Sequence, residues 1–303
     1  MNAAIDIGTN TVLLLVAEKD GNNIKVIYEA QRMPRLGKGV DEDRVINDKS
    51  MERVIRALSD YKEILDAEYP EVESITVTAT SAVRDATNRE EFLQRVKKET
   101  GFNIRVLSGI EEAVWTATGA LSTLNKNKPK NALIIDIGGG STELAIVKDG
   151  KMDGSYSYNM GSVRFTERFL IHNPPYQEEI LACEKEIETQ FNTNKFKVGN
   201  DIQAVGVAGT MISLAAIDLQ IENYERQKVN GHCINSNKLY KSIEIFSLHT
   251  YEELLELSPE ALRGREDIFL AGLLILKGFL QSYALENIVV SAGGIRHGAI
   301  LKG

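Results

Sequence analysis

Residues 136–143 read DIGGGSTE. They follow an apolar run, Ala132 to Ile135, and precede another, Leu144 to Val147, which is the pattern of strand, tight turn, strand. Gly138, Gly139 and Gly140 remove every Cβ from the turn, so its backbone N–H groups can close on an anion. Asp136 ends the first strand, where a carboxylate can hold a metal ion or its water shell beside that anion. Ser141 and Thr142 add hydroxyl donors, and Glu143 adds a second carboxylate. The combination suits a magnesium–phosphate site; a Gly-rich hairpin with solvated acids is the bland alternative.

A second copy favours the site. Residues 6–11 read DIGTNT, after a short apolar start and before the apolar run Val12 to Ala17. Asp20-Gly21 and Asp149-Gly150 then supply matching hairpin turns. Two such units predict a duplicated α/β domain with two lobes around a cleft, the two turns clamping a phosphate chain. We expect lobes over 1–124 and 125–297, with a hinge in the polar segment 125–130 and a tail, 298–303, packing back on the first lobe.

The chain has 303 residues, 43% hydrophobic and 26% charged, enough for two globular domains. Its 35 basic and 43 acidic residues give a formal net charge of −8. That excludes broad nucleic-acid binding and requires any polyanion to meet locally focused basic groups. Two cysteines without metal-like spacing point to a reducing cytoplasm. The start carries no signal-peptide pattern, and the longest apolar stretch, Ile268 to Leu276, is too short to span a membrane.

Along the chain, Arg32, Arg35 and Lys38 sit around two glycines in the loop 32–47, a basic loop that is either solvated or ligand-facing. A helix is predicted over 48–68 from apolar positions at three- and four-residue steps, capped by Asn47 or Asp48. Ser74 to Thr80 is a β-branched strand, so Arg84 lies just past a strand end, where open α/β sheets place ligand groups. Asn88 with Glu91 predicts a capped helix. Glu111 and Glu112 open another helix, where acids ordinarily complement the helix dipole; neighbours point about 100° apart, so at most one aims into a cleft. Arg164, after Gly161, occupies the place that Arg35 holds in the first half. Gly209-Thr210, between a buried strand and a helix, is a further candidate anion turn. His172, His232, His249 and His297 are scattered singly and read as structural. Catalytic-Cys, nucleophile-elbow, Walker A and dinucleotide patterns are absent from the sequence.

DIGTNT at Asp6, RLGKG at Arg35, TATSAVRDATN at Thr78, LSGIEEA at Leu107, DIGGGSTE at Asp136, GSVRFTE at Gly161 and GVAGT at Gly206 occur in this order. Together they resemble the exopolyphosphatase and guanosine pentaphosphate phosphohydrolase family, within the acetate/sugar kinase, Hsp70 and actin superfamily. The resemblance implies two ribonuclease-H-like lobes, the duplicated actin-like ATPase fold, around an interdomain cleft. It implies hydrolysis of a terminal phosphate from inorganic polyphosphate or guanosine pentaphosphate, with magnesium or another divalent cation and potassium as an optional second cation.

On that resemblance Glu112 is the general base, with Glu111 as fallback. Asp136 and Glu143, joined by Asp6, hold metal, and Arg84 binds phosphate. Thr9, Asn10 and Thr11, the turn Gly138 to Ser141, and Gly209-Thr210 are phosphate-binding. Arg35, Lys38 and Arg164 guide the rest of the anionic chain. Homodimers are common in this superfamily, and neither nucleic acid nor membrane is implied. LRGREDIFLAG is shorter than the family pattern, and GIRHG carries His297 where an acid is common. Longer members continue beyond the equivalent of Gly303, so a shorter reach along polyphosphate is expected. The alternatives are a kinase of the same superfamily and a non-catalytic sensor of guanosine tetra- or pentaphosphate.

Overall fold

In the strand Asn2–Ile7 (β1), Ala3, Ile5 and Ile7 join one apolar core while Ala4 joins another. Alternate side chains of a strand leave on opposite faces, so a strand apolar on both is covered on both. This holds in a computed structural model of the chain, which describes residues 1–21, 23–124, 128–199, 201–221 and 226–302. The chain divides into two compact units, Met1–Thr123 with Gly293–Gly303, and Leu124–Ala292.

The first unit follows β1 with β2 (Val12–Asp20), β3 (Asn23–Arg32), the short α1 (Val40–Asp43), α2 (Asp48–Glu68), β4 (Ser74–Ala79), α3 (Ser81–Asp85), α4 (Arg89–Thr100), β5 (Ile104–Val106) and α5 (Gly109–Thr123). Its sheet runs β3-β2-β1-β4-β5, antiparallel among the first three strands and parallel from β1 to β5. The expected stripe of α2, including Val54, Leu58, Tyr61 and Leu65, is buried in the core with Ile5, Ile7 and Leu14. Asn47 caps α2, its side chain accepting from the Ser50 amide. Asn88 does not cap α4; its amide side chain instead bonds both backbone groups of Ile46, so the expected capping box there is not made.

The second unit comprises β6 (Ala132–Ile137), β7 (Thr142–Lys148), β8 (Lys151–Tyr158), α6 (Ser162–Phe169), α7 (Gln177–Thr193), β9 (Gln203–Val207), α8 (Ala208–Asp218), β10 (Cys233–Asn235), α9 (Ser236–Leu248), α10 (Tyr251–Leu257), α11 (Pro259–Leu262), α12 (Phe269–Ser282) and β11 (Asn287–Val290). Its sheet, β10-β11-β9-β6-β7-β8, repeats the first in the order β8-β7-β6-β9-β11 and adds the antiparallel edge strand β10. The repetition extends to an irregularity: the register shifts between Val16 and Ala17 in one hairpin and between Ile146 and Val147 in the other. Each shift lies at the same distance past the aspartate of its Asp-Ile-Gly turn, so the duplication extends to this detail.

The last helix, α13 (Ile295–Lys302), belongs to the first unit, where it packs on α5, β1 and β2. Residues 293–297 therefore leave the second lobe, to which the sequence reading gave them. The physical reason is close approach. A Cβ on Gly293 would lie 2.1 Å from the Gly119 carbonyl oxygen, and one on Gly298 2.1 Å from that of Trp115. Buried Arg296 fixes the helix further, donating to the Leu14 carbonyl at 2.6 Å and to Glu29 at 2.9 Å. Of the expected hinge, residues 125–127 lie outside the described residues. No described helix is long and apolar enough to cross a membrane.

Candidate active site

Both Asp-Ile-Gly turns close in the same way. Gly8 N–H donates to the Thr11 carbonyl at 2.9 Å, and Gly138 N–H to the Ser141 carbonyl at 3.0 Å. In each unit a later segment docks on the turn through its backbone. Arg35 and Gly37 amides reach the Asn10 and Thr9 carbonyls, and Ser162, Val163 and Arg164 amides reach those of Gly138 and Gly139. Cβ atoms on Gly37 and Gly161 would meet Thr9 Cγ2 at 2.1 Å and the Gly139 carbonyl at 2.4 Å, so this docking depends on glycine. The carbonyls of the second turn are thus taken up by the start of α6.

The two turns differ in their acids. Asp136 pairs directly with Glu143 across β6 and β7, whereas Asp6 pairs with Leu13 across β1 and β2. Directly opposed residues share a face with Cβ atoms about 5 Å apart. Asp136 and Glu143 are both buried, and Ser157 on β8 donates to Glu143 Oε1 at 2.6 Å. Ser141 Oγ is buried with no hydrogen-bond partner among the described residues. Asp6 instead accepts from Thr78 Oγ1 at 3.2 Å.

Two carboxylates fit magnesium, which completes its shell with phosphate oxygens and water rather than a protein cage. No group of three or more His, Cys, Asp or Glu side chains that could hold a metal ion occurs among the described residues. Of the expected set, Asp136 and Glu143 belong to one unit and Asp6 to the other.

In the first unit, the C-terminal ends of the parallel strands carry the rest. Thr9 Oγ1 bonds Ser81 Oγ at 3.0 Å, joining the turn after β1 to α3. Arg84 at the end of α3 donates from Nη1 to Glu112 Oε2 at 2.8 Å and to the Leu107 carbonyl at 3.0 Å. Glu112 is 5% exposed. Glu111 turns elsewhere: its carboxylate accepts from the Ser108 amide and hydroxyl and from Arg105 at 2.6 Å. The Ser108 amide first, then Arg105 and the Ser108 hydroxyl, hold its carboxyl down at about 2. Glu111 is thus the far half of a capping box, a role legible in the S-x-x-E spacing of residues 108–111.

The other candidates lie in varied surroundings. Arg164 is buried and donates from Nε to the Gly140 carbonyl at 2.6 Å, so it braces the glycine turn rather than lying exposed to a passing polyanion. Lys38 is exposed, and Arg35 is half-buried with a left-handed backbone, φ 52°. Thr210 packs against Gly272 of α12, and the guanidinium of Arg265 lies over Gly209, where a Cβ would meet Nη1 at 1.5 Å. Ala208, preceding them, is held at φ 67°, a strained value for a residue with a Cβ. Ser157 carried no signal in the linear sequence, and Ser81 and Arg265 lie in quoted stretches without having been singled out. Of the four histidines, His172 bonds Glu179, His232 bonds Asp218, His249 bonds the Ile245 carbonyl, and His297 is buried in α13.

A protein from Fusobacterium nucleatum described as a bifunctional 3-dehydroquinate synthase/phosphatase is 33% identical over the whole of this chain, which spans 46% of that protein's length. Exopolyphosphatase 2 of Mycobacterium tuberculosis is 27% identical over 99% of this chain and 97% of its own. The crystal structure of the Aquifex aeolicus member of the Ppx/GppA family superposes with a TM-score of 0.81 at 30% identity, covering 99% of this chain and 96% of that one. With the duplicated turns, the paired acids and the Arg84–Glu112 contact in place, the match of residues 15–303 to the family model is one of architecture as well as sequence, and the chain belongs to the Ppx/GppA phosphatase family.

Proposed function

We propose that the chain hydrolyses the terminal phosphate of inorganic polyphosphate or guanosine pentaphosphate, with Glu112 as general base. The observation that carries this reading is the placement of Glu112: a buried carboxylate at the start of α5, in contact with the arginine that the family resemblance gives to phosphate. Glu111, tied into its cap, is the poorer candidate.

Hydrolysis of a phosphoric anhydride needs an aligned water, neutralised charge and a stabilised leaving phosphate. Glu112 orients the water and accepts its proton. Arg84 takes charge on the terminal phosphate, and the amide edge of the turn Gly138 to Ser141 takes charge developing on its oxygens. Thr9, Asn10 and Thr11 supply the corresponding turn of the first unit. Asp136 and Glu143 would hold magnesium, which supplies charge neutralisation on the phosphate oxygens when bound. Lys38 and Arg35 would steer the remaining chain.

The test is phosphate release by purified protein with magnesium, comparing medium-chain polyphosphate with guanosine pentaphosphate. Glu112→Gln should lower turnover by roughly 10²–10⁴ with the fold retained. Release that requires an added hydroxyl or carboxylate acceptor would make the protein a phosphotransferase. Tight binding without release from either substrate would make it a sensor.

A further inference from the structure

A net charge of −8 requires that a polyanion meet basic groups focused in one place. One such focus lies on α2, outside the seven motif stretches. Lys49, Arg53 and Arg56 follow one another at steps of four and three residues, so they share one face of the helix. All three are exposed. Local physics gives little reason for them: like charges at these steps repel, and cations in the first turns of a helix oppose its dipole. The acids nearest in sequence are engaged by other cations. Asp48 and Glu52 face Arg95 of α4, each at 3.6 Å. Asp60, one turn beyond Arg56, meets Arg32 at 3.5 Å. Among the described residues, Lys49, Arg53 and Arg56 have no carboxylate partner.

This face adjoins the first Asp-Ile-Gly turn. Arg53 is the joint: Nε donates to the Pro34 carbonyl at 2.7 Å and Nη2 to Ser50 Oγ at 2.7 Å. The next residue of that loop, Arg35, donates its amide to the Asn10 carbonyl at 3.1 Å. Further along α2, Tyr61 donates its hydroxyl to the Val12 carbonyl at 2.8 Å, one residue past the turn. The Arg32 guanidinium lies over the Tyr61 ring, 5.6 Å from its centroid. Arg53 thus has a structural task, whereas the side chains of Lys49 and Arg56 make no hydrogen bond or ion pair among the described residues.

Resting on the hydrolase reading, we propose that the α2 face of Lys49, Arg53 and Arg56 binds the distal units of a linear polyphosphate chain. Lys49 and Arg56 are about 10 Å apart along the helix axis at 1.5 Å per residue. The face therefore offers a row of positive charge, which fits a chain of repeating anions better than a single phosphate. Such a chain carries no base or sugar for a shaped pocket to read, so an exposed cationic row suffices as its receptor, as it does for a phosphate backbone. Chain length then adds affinity through α2, and the chemistry at the terminal phosphate is untouched.

Lys49→Gln/Arg56→Gln removes two charges and leaves the Arg53 tether in place. Binding is followed calorimetrically in EDTA, which stops magnesium-dependent turnover, over a range of salt concentrations. The double variant should bind long-chain polyphosphate roughly 3–30-fold more weakly than wild type, the range for two exposed charge contacts. Its log–log salt dependence should be shallower by about 1–2. Tripolyphosphate, which has no distal units, should bind both alike. Lys185→Gln/Lys241→Gln, which removes the same charge from exposed positions on α7 and α9, should behave as wild type. Equal affinity of wild type and the α2 variant for the long chain overturns the proposal. So does an equal loss in the α7/α9 control, an equal loss with tripolyphosphate, or tighter binding of a single-stranded oligonucleotide of the same charge. Phosphate release with magnesium is measured separately. A wild type that binds the long chain through α2 but releases no phosphate overturns the hydrolase reading and leaves the cationic face standing.

Discussion

Gly298→Ala should destabilise the first unit although it places a better helix former in a helix. An alanine methyl at Gly298 would sit 2.1 Å from the Trp115 carbonyl oxygen and 2.7 Å from its carbon, and both are backbone atoms of α5. Ordinary contact begins near 3.4 Å, so α13 must retreat by about 1 Å, and a gap of that size forfeits a quarter to a half of a packing interaction. Ile295 and Ile300, buried on α13, contribute about 3–6 kcal/mol together, so about 1–3 kcal/mol is lost. Strain adds to this, and helix propensity returns up to about 1 kcal/mol. The net loss is about 1–2 kcal/mol, or roughly 4–8 °C in the Tm of a unit this size. The assay is built in: Trp115 is the single tryptophan of the chain and lies in this interface, so its fluorescence follows the affected packing. Gly294→Ala is the control, since a Cβ there meets nothing within 4 Å. Equal unfolding midpoints for Gly298→Ala and Gly294→Ala would refute the close-approach argument.

Ser157→Ala removes the donor to Glu143 and should raise the magnesium concentration for half-maximal activity by roughly 10–100-fold; an unchanged magnesium titration would free Glu143 from the metal role. Glu111→Gln should cost about 0.5–1 kcal/mol at pH 7 as a lost cap. Its carboxyl lies at about 2 in the folded state, below an ordinary 4.5, so the stabilisation is full above the ordinary value and lost as pH falls toward 2. Wild type and variant should accordingly converge in acid, and a turnover loss matching that of Glu112→Gln would return Glu111 to the catalytic role. Ala208→Gly relieves a left-handed alanine and should stabilise by about 0.5–1 kcal/mol in urea unfolding, net of the entropy of the added glycine; destabilisation would show that the backbone there is not strained.

Much of this architecture is written in local pattern. The alternation of Ile5 and Ile7 against Ala4, the stripe of α2 and the two Asp-Ile-Gly turns need only neighbours in sequence to be read. Ser157 shows where that stops. Counting back from the Asp149-Gly150 turn with a regular register sets Tyr156 opposite Glu143. The shift after Ile146 moves the pairing by one, and a one-residue slip exchanges the faces of the strand, so Ser157 meets the carboxylate. Arg164 shows a related limit: an arginine beside a glycine turn reads as a ligand for anions, and its bond to the turn's own Gly140 carbonyl is visible only in the fold. The return of the tail 298–303 to the first unit is an expectation of the sequence, but the start of α13's segment at 293 is not, because the glycines at 293 and 298 accommodate a helix more than a hundred residues earlier in the chain.

That helix also sets an order of assembly. During synthesis, residues 1–123 emerge before the second unit, with β1 to α5 in hand but with Trp115, Ala4, Leu15 and Ala17 lacking the Ile295 and Ile300 that cover them. All of the second unit must be made before α13 arrives. The contact between α13 and β1 joins positions nearly three hundred residues apart, and such long-range closures come late in folding. An N-terminal fragment would therefore present an uncovered apolar face to chaperones and to other nascent chains, and supplying residues 293–302 as a separate peptide is the direct way to complete it.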